Sequence, residues 1–348
     1  MSTVTSDPDL RATPKASLPR RLLTMTATWV FLLDIVLVVV FGVISQHQVF
    51  WSVASIQALM LNGTQALLLA LGLAVLLGGG VFDLSLGANL VLSSVVGGLV
   101  MQSITGTFSP TGDYPNVLPG ILAGLAAALL TGVLYGLVNG LIISLLDINA
   151  LIATLGTMGI GLGIALVLTG GGNVSGLPTQ LQSTIGLNMV GGIVPLPALV
   201  ALALAVLIAL MLRFTRFGMR SLAMGSSRSA VTRAGIDTRL QIIRLTIISG
   251  GLAGLAGFLD LARFGATSTG GHAQDALNAV TAVVIGGTLL EGGKVSIIGA
   301  IWGTVLAVVL QSGLIVIGVA PFYQLIAVGA VLIVAMAIDR FRFTRQRS

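Results

Sequence analysis

Apolar runs of about 20 residues recur from residue 27 to residue 338, and they leave little room for any architecture other than membrane-spanning helices. The chain is 55% hydrophobic and only 8% charged, whereas about a quarter of an average soluble domain is charged. A transmembrane barrel would need strands that alternate polar and apolar residues over about ten positions, and these runs do not alternate. The sequence therefore predicts an all-α, polytopic transmembrane helical bundle.

The runs predict about ten spans, with the N and C termini both cytoplasmic. The first 26 residues are polar and basic, and no small-residue cleavage site follows the first apolar run, so we interpret 1–26 as a disordered cytoplasmic tail. Residues 27–339 form a single transmembrane domain, and 340–348 form a basic cytoplasmic tail. The expected spans cover approximately 27–45, 54–78, a segment ending near 104, 117–143, 150–169, 191–212, 241–262, 277–290, 295–317 and 321–338.

A long basic interval, residues 213–244, sets the orientation of the chain. It carries seven arginines, and the sequence before it contains no Lys or Arg back to Leu22. Basic loops between spans stay on the cytoplasmic side. With ten spans, every Lys and Arg except Arg263 then falls on that side. The net charge of +6 is therefore a topology signal rather than the footprint of a nucleic-acid-binding surface.

Two Gly-rich segments, 78–89 and 286–295, predict broken or short helices. In the first, GGGVFDLSLGAN, three glycines precede Asp83 within otherwise apolar sequence. Unwound backbone at membrane depth is tolerated where protein or a water-filled cavity covers it, and such breaks point to a transport path. An ordinary cytoplasmic hairpin turn is the alternative. The second segment echoes the first and aligns Glu291 with Asp83, as in an internal repeat or in two Gly-rich hairpins.

Small residues recur at helical spacing in two spans and predict close helix packing. Gly132, Gly136 and Gly140 line one face of a helix, and Gly250 and Gly254 form a second pair of the same spacing. Glycines at such positions let another helix approach closely. The sequence alone does not say which helix approaches which.

Polar residues within the spans are mostly neutral, which suits a neutral, hydroxyl-rich solute. Buried acids are few, which does not favour an ion-coupled carrier. The alternative is that several of these residues only form hydrogen bonds between helices, which contribute about 0.6 kcal/mol each. The predicted substrate-path residues are Asn62, Gln65, Asp83, Ser85, Asn89, Asn139, Thr154 and Thr157.

Catalytic and metal chemistry are not supported by the composition. The chain has no cysteine, and its two histidines, His47 and His272, show no metal-ligand spacing. The segment before Lys294 misses the phosphate-binding loop pattern, because Thr288 stands where its first glycine belongs and Val295 follows the lysine. We therefore expect that the chain binds neither a metal nor a cofactor and that it is not an enzyme.

Four segments in order along the chain carry a recognisable pattern: GGGVFDLSLG (78–87), LVNGLIISLLDINALIATLGTMGIGLGIALVLTGG (137–171), TRFGMRSLAMGSSRSAVTRAGID (215–237) and LNAVTAVVIGGTLLEGGKVSIIGAIWGT (277–304). Together they resemble one known family, the permease subunits of bacterial ATP-binding-cassette sugar importers for ribose, xylose, arabinose and galactose, which also includes the autoinducer-2 importer. Ser226-Ser227, Asn278 and Val295 depart from the usual pattern of that family, so the resemblance does not identify the sugar.

The resemblance implies a multi-pass protein of the bacterial cytoplasmic (inner) membrane that transports without catalysis. A second permease copy, identical or a sister chain, would complete the pathway. A periplasmic or lipid-anchored solute-binding protein would deliver the solute. A cytoplasmic ATPase, which itself holds ATP and Mg²⁺, would dock on a coupling helix and drive alternating access.

The basic interval fits the docking role independently. Ala223–Ala234 is expected to form one short helix, punctuated by Gly218, Gly225 and Gly235. The coupling loop is 213–240, and plain positive-inside anchoring is the alternative. The predicted ATPase-coupling residues are Ala223, Gly225, Arg228, Ala230, Arg233, Gly235 and Ile236.

The function predicted is that of an importer permease moving a monosaccharide or similar neutral polyhydroxy solute inward. A secondary carrier working without an ATPase is the first alternative, and a membrane scaffold without transport is the second. Within the family, the candidate solutes are a pentose, a hexose, a polyol and autoinducer-2.

Overall fold

The computed structural model describes residues 26–106, 114–272 and 274–320, together with 323, 326, 329 and 330. The predicted tails at 1–25 and 340–348 and nearly all of the predicted last span lie outside these residues. Two-residue strands Met189–Val190 (β1) and Val194–Pro195 (β2) pair antiparallel. The described helices are α1 Thr26–Ile44, α2 Val53–Gly78, α3 Leu86–Thr105, α4 Val117–Leu145, α5 Ala150–Thr169, α6 Thr179–Leu181, α7 Leu196–Phe214, α8 Arg216–Ser226, α9 Arg228–Arg233, α10 Thr238–Phe264, α11 Asp275–Ile285 and α12 Ile297–Val316.

Eight helices within the described ranges are long and apolar enough to cross a membrane, and α11 is a shorter apolar helix. The all-α, polytopic prediction is confirmed, and most spans begin and end within a few residues of their expected positions. The sixth span is an exception. It was expected from residue 191, but α7 begins at Leu196, because Gly191 and Gly192 adopt positive φ angles and turn the β1–β2 hairpin.

Helices α2, α3 and α10 form the buried centre of the bundle. About two thirds of their membrane-length windows are buried, whereas α1, α4, α5 and α7 expose wide apolar faces. Exposed apolar side chains of this kind suit contact with lipid, where every backbone group must be bonded within the helix.

Glycines bring α4 and α10 into backbone contact. A Cβ on Gly132 would overlap the Gly250 carbonyl, and one on Gly136 would overlap the Thr246 carbonyl. A Cβ on Gly254 would lie 2.7 Å from the carbonyl oxygen of Ala128. The two small-residue faces predicted from the sequence therefore pack against each other.

Both predicted breaks are present, and they meet. The first, 79–85, joins α2 to α3 through Gly80 at φ 72°. The second, 286–296, joins α11 to α12 through Gly287, Gly292 and Gly293 at φ 90°, 96° and 78°. The Gly293 amide donates to the Gly78 carbonyl at 3.2 Å, so a backbone hydrogen bond joins the second break to the end of α2, where the first break begins.

The expected single helix Ala223–Ala234 is wrong. Helix α8 ends at Ser226, and α9 begins at Arg228. Ser227 between them is extended at φ −161°, and its hydroxyl caps α9 by accepting from the Ala230 amide at 3.3 Å. A serine favours this capping role over a helix interior, because its side chain competes for backbone hydrogen bonds.

Candidate functional site

Asp83 is the centre of a buried polar cluster at the first break. Its side chain is almost fully enclosed, at 3% exposure. Oδ1 accepts from the Ser85 amide at 2.7 Å and from the Ser85 hydroxyl at 2.6 Å, while Oδ2 accepts from Asn139 Nδ2 at 3.3 Å. The same Asn139 nitrogen donates to the Ser85 hydroxyl at 2.8 Å. These hydrogen bonds replace many of those that a carboxylate makes to water, and they offset much of the free-energy cost of burying it.

The cluster extends to α5 through the backbone of the break. The Leu84 amide donates to Thr154 Oγ1 at 3.3 Å. One turn further along α5, Tyr135 from α4 donates its hydroxyl to the Thr157 carbonyl at 2.6 Å. Five of the eight predicted path residues therefore lie around the first break, where α3, α4 and α5 meet: Asp83, Ser85, Asn139, Thr154 and Thr157.

Asn89 has a packing role in this structure. Its Nδ2 lies 3.3 Å from the carbonyls of both Gly132 and Gly250, and its Oδ1 accepts from the Ser93 hydroxyl at 3.1 Å. It therefore forms hydrogen bonds to both α4 and α10, the two helices that pack through their glycines. In this conformation Asn89 joins helices, as the alternative interpretation of the polar span residues expects.

Gln65 belongs to a different cluster, nearer the outer face. Its Nε2 donates to Asp275 Oδ2 at 2.8 Å and lies 2.8 Å from His272 Nδ1. Asn62 lies one turn earlier on α2 and is half-buried. The sequence identified Gln65 but not its partners His272 and Asp275, nor Asp260, which pairs with His272. The i,i+3 spacing of His272 and Asp275 was the available signal.

The predicted coupling residues lie on α8, on α9 and in the turn after α9. Ala223, Arg228, Ala230, Arg233 and Gly235 are exposed, whereas Ile236 is half-buried against the core.

Gly225 instead faces inward: a Cβ there would overlap the Gly78 carbonyl and lie 2.5 Å from the Gly293 amide. Helix α8 therefore packs directly against both breaks.

A further bond ties α8 to the bundle and was not foreseen. Gln241 Nε2, at the start of α10, donates to the Ser221 hydroxyl at 2.6 Å and to the Phe217 carbonyl at 3.1 Å. Both Gln241 and Ser221 are buried. Helix α8 is consequently held from two sides, by the hairpins and by α10.

Known proteins resemble this chain along most of its length. The family model described as "Branched-chain amino acid transport system / permease component" matches residues 55–336. The galactose/methyl galactoside import permease protein of Haemophilus influenzae is 30% identical over 90% of this chain and 94% of its own length. The D-allose transport system permease protein of Escherichia coli is 29% identical over 89% of this chain and 90% of its own length.

A third relative matches over a shorter segment. The ribose import permease protein of Bacillus subtilis is 36% identical over 54% of this chain, and the match spans 59% of that relative. No solved structure matches the chain. The relatives are named as transport permeases rather than as enzymes. The chain is a multi-pass membrane protein that belongs to this family of permease components, among the permease subunits of ATP-binding-cassette sugar importers.

Proposed function

We propose that this chain forms half of an importer pathway that moves a monosaccharide or similar neutral polyhydroxy solute into the cytoplasm. The observation that best supports this proposal is the position of Gly225, whose backbone contacts both broken segments. A force applied to the cytoplasmic helices α8 and α9 would reach the Asp83 cluster through that contact, without passing through flexible side chains.

The partners follow from this arrangement. An ATPase subunit, which holds ATP and Mg²⁺ itself, docks on the exposed basic surface within 213–240. A solute-binding protein, periplasmic or lipid-anchored, delivers the solute at the outer face. A second permease copy, identical or a sister chain, completes the pathway in the bacterial inner membrane. This chain needs no cofactor of its own.

A sugar or polyol is favoured over a branched-chain amino acid, which the family model's description names. The relatives that match nearly full length are named for galactose and allose. The path candidates around Asp83 are hydroxyl and amide groups, which exchange hydrogen bonds with hydroxyl-rich solutes. The exact solute is a matter for the binding protein as well as for this chain.

The test is reconstitution of the whole complex in proteoliposomes with its ATPase and binding protein. Labelled D-galactose, D-allose, D-ribose and L-leucine would be offered separately, with and without internal ATP. We expect ATP-dependent uptake of a sugar and none of leucine, unaffected by a protonophore. Uptake by this chain alone that needs no ATP and collapses with a protonophore would favour a secondary carrier instead.

A further inference from the structure

The second polar cluster lies at the start of a half-length helix. Helix α11 has 11 residues, about 16 Å at 1.5 Å per residue, roughly half the thickness of a hydrocarbon core. Its first residue, Asp275, is bonded to Gln65, which lies at the middle of the 26-residue helix α2. A helix that spans the bilayer places its central residue near the midplane. The first turn of α11 therefore lies deep in the protein, where half-helix N-termini form solute sites in other transporters.

A single imidazole joins three elements at this point. His272 Nδ1 lies 2.8 Å from Asp275 Oδ2, and Nε2 lies 3.2 Å from Oδ2 of Asp260 on α10. Each ring nitrogen thus faces a carboxylate, an arrangement that favours the protonated, positively charged ring. A Cβ on Gly87, at the start of α3, would lie 2.7 Å from the His272 carbonyl oxygen, so the loop carrying this histidine also packs beside the first break.

Asp260 is left without hydrogen-bond donors. Its side chain is only 1% exposed, and among the described residues neither carboxylate oxygen accepts a hydrogen bond of acceptable geometry. The His272 contact is an ion pair without hydrogen-bond alignment. A buried carboxylate in this condition is costly unless something else supplies donors. Asp260 lines a small cavity together with Thr64, Gln65 and Arg263, and the rest of that lining is apolar. In this conformation the cavity has room for about one water molecule, so a sugar could enter it only when it widens during the transport cycle.

The charges around the cavity balance. Two carboxylates, Asp260 and Asp275, are matched by Arg263 and by the doubly flanked imidazole of His272. A cation would therefore gain little net attraction, whereas a neutral group that both donates and accepts hydrogen bonds can satisfy Asp260. An apolar wall with a few convergent polar groups is the usual lining of a small-molecule site.

We propose that Asp260, Gln65 and the His272–Asp275 pair form a hydroxyl-binding site for the transported solute, separate from the Asp83 cluster and halfway along the path. This inference rests on the proposed function for the identity of the solute. Asp260 accepts from one or two solute hydroxyls, while Thr64 and Gln65 hold the neighbouring ones. The apolar lining contacts the C–H face of the ring. The loop that carries His272 closes the site on its outer side.

The first experiment compares two buried acids in the reconstituted complex. Asp260→Asn keeps the shape of the side chain but replaces an acceptor by a donor. Asp34→Asn, in α1, is the matched control, because Asp34 is equally buried at 3% and its oxygens also lack hydrogen-bond partners among the described residues. We expect Asp260→Asn to lower the apparent affinity for the imported sugar by about tenfold or more, the usual effect of losing a hydrogen bond to a charged group, and Asp34→Asn to leave it unchanged.

The second experiment does not require Asp260 to be altered. Thr64→Cys introduces a single thiol into this cysteine-free chain, and methanethiosulfonate ethylammonium labels it if the cavity opens to water. The sugar that the wild type imports should slow that labelling severalfold, whereas L-leucine should not. No import of any sugar by the wild-type complex would contradict the proposed function and this site with it. Import that Asp260→Asn impairs no more than Asp34→Asn, or labelling that the sugar does not slow, would overturn the hydroxyl site alone.

Discussion

The backbone of Gly225 lies directly against the backbone of Gly78, so closely that a methyl group on Gly225 would overlap the Gly78 carbonyl oxygen. The first residue belongs to helix α8 and the second to the end of α2, where the first break begins. The Gly293 amide, from the second break, donates to the same carbonyl. Three segments far apart in sequence therefore share one contact point, which any motion of α8 must displace.

Gly225→Ala should uncouple ATP hydrolysis from uptake. The added methyl must push α8 away from both hairpins, at about 1–3 kcal/mol for an overpacked site. We expect the ATPase rate of the complex to persist while sugar uptake falls at least severalfold, and Gly225→Pro to act more strongly. Gly63→Ala is the control, since a Cβ there meets nothing within 4 Å. Normal uptake by Gly225→Ala would argue against this contact as the route of coupling.

Charge reversal at Arg228 and Arg233 should weaken docking of the ATPase without affecting insertion. Both side chains are exposed, and the contact of Arg228 with Asp147 is long, at 4.0 Å, and solvated, so it contributes little to folding. The measurement is the amount of ATPase subunit that co-purifies with the double Glu variant. Arg244→Glu changes an exposed arginine of the basic interval that lies outside 213–240, and this control should retain the ATPase. Equal retention by the double variant would leave these arginines as topology anchors.

Asp83→Asn should destabilise the protein. Asp83 Oδ1 accepts two hydrogen bonds from Ser85, and an amide in its place turns one acceptor into a donor facing a buried donor. Losing a charge-assisted bond costs about 1.5–3 kcal/mol, which should lower the thermal midpoint of the detergent-solubilised protein by several degrees. Asp147→Asn is the control, because that side chain is 84% exposed. An unchanged midpoint for Asp83→Asn would mean that the cluster is not stabilising.

Asn89→Ala separates a packing role from a transport role. The two bonds to Gly132 and Gly250 join helices, and each such bond in a membrane contributes about 0.6 kcal/mol on average. We expect a stability loss of about 1 kcal/mol and an unchanged apparent affinity for the sugar. Ser103→Ala, whose hydroxyl bonds the Val100 carbonyl of its own helix, should change neither quantity. A marked loss of affinity for the sugar with unchanged stability would instead support a role for Asn89 in the transport path.

A cysteine at Ser85 should report whether the first break opens to water. Ser85 is completely buried in this conformation, so a water-soluble thiol reagent should label Ser85→Cys slowly in the resting complex. Labelling should accelerate when ATP and the binding protein drive the transport cycle, as alternating access requires. Protection that persists through every stage of the cycle would show that the break is a closed structural turn.

The positions of most of the described membrane-length helices could be predicted from local sequence, because a helix in lipid must form its backbone hydrogen bonds within itself and needs about 20 apolar residues to cross the membrane. The breaks at 78–89 and 286–295 were visible for the same reason, since glycines and acids interrupt that pattern. The sixth span and the helix at 223–234 were misplaced, because a hairpin at Gly191–Gly192 and a cap at Ser227 depend on single dihedral angles that composition does not fix.

The pairing of these elements was decided only by the tertiary structure. The glycines of α4 and α10 predict that each helix packs closely against another. They do not predict that Gly132 contacts Gly250, because any two helix faces made of small residues could pack together. Gln65 was recognisable as a polar residue in a span, whereas its hydrogen bond to Asp275 joins residues 210 positions apart. His272, which contacts Gln65, also pairs with Asp260 on a third segment. Such contacts arise from how the helices cross and from the depth at which α11 begins, and these are properties of the packed bundle rather than of any one stretch of the chain.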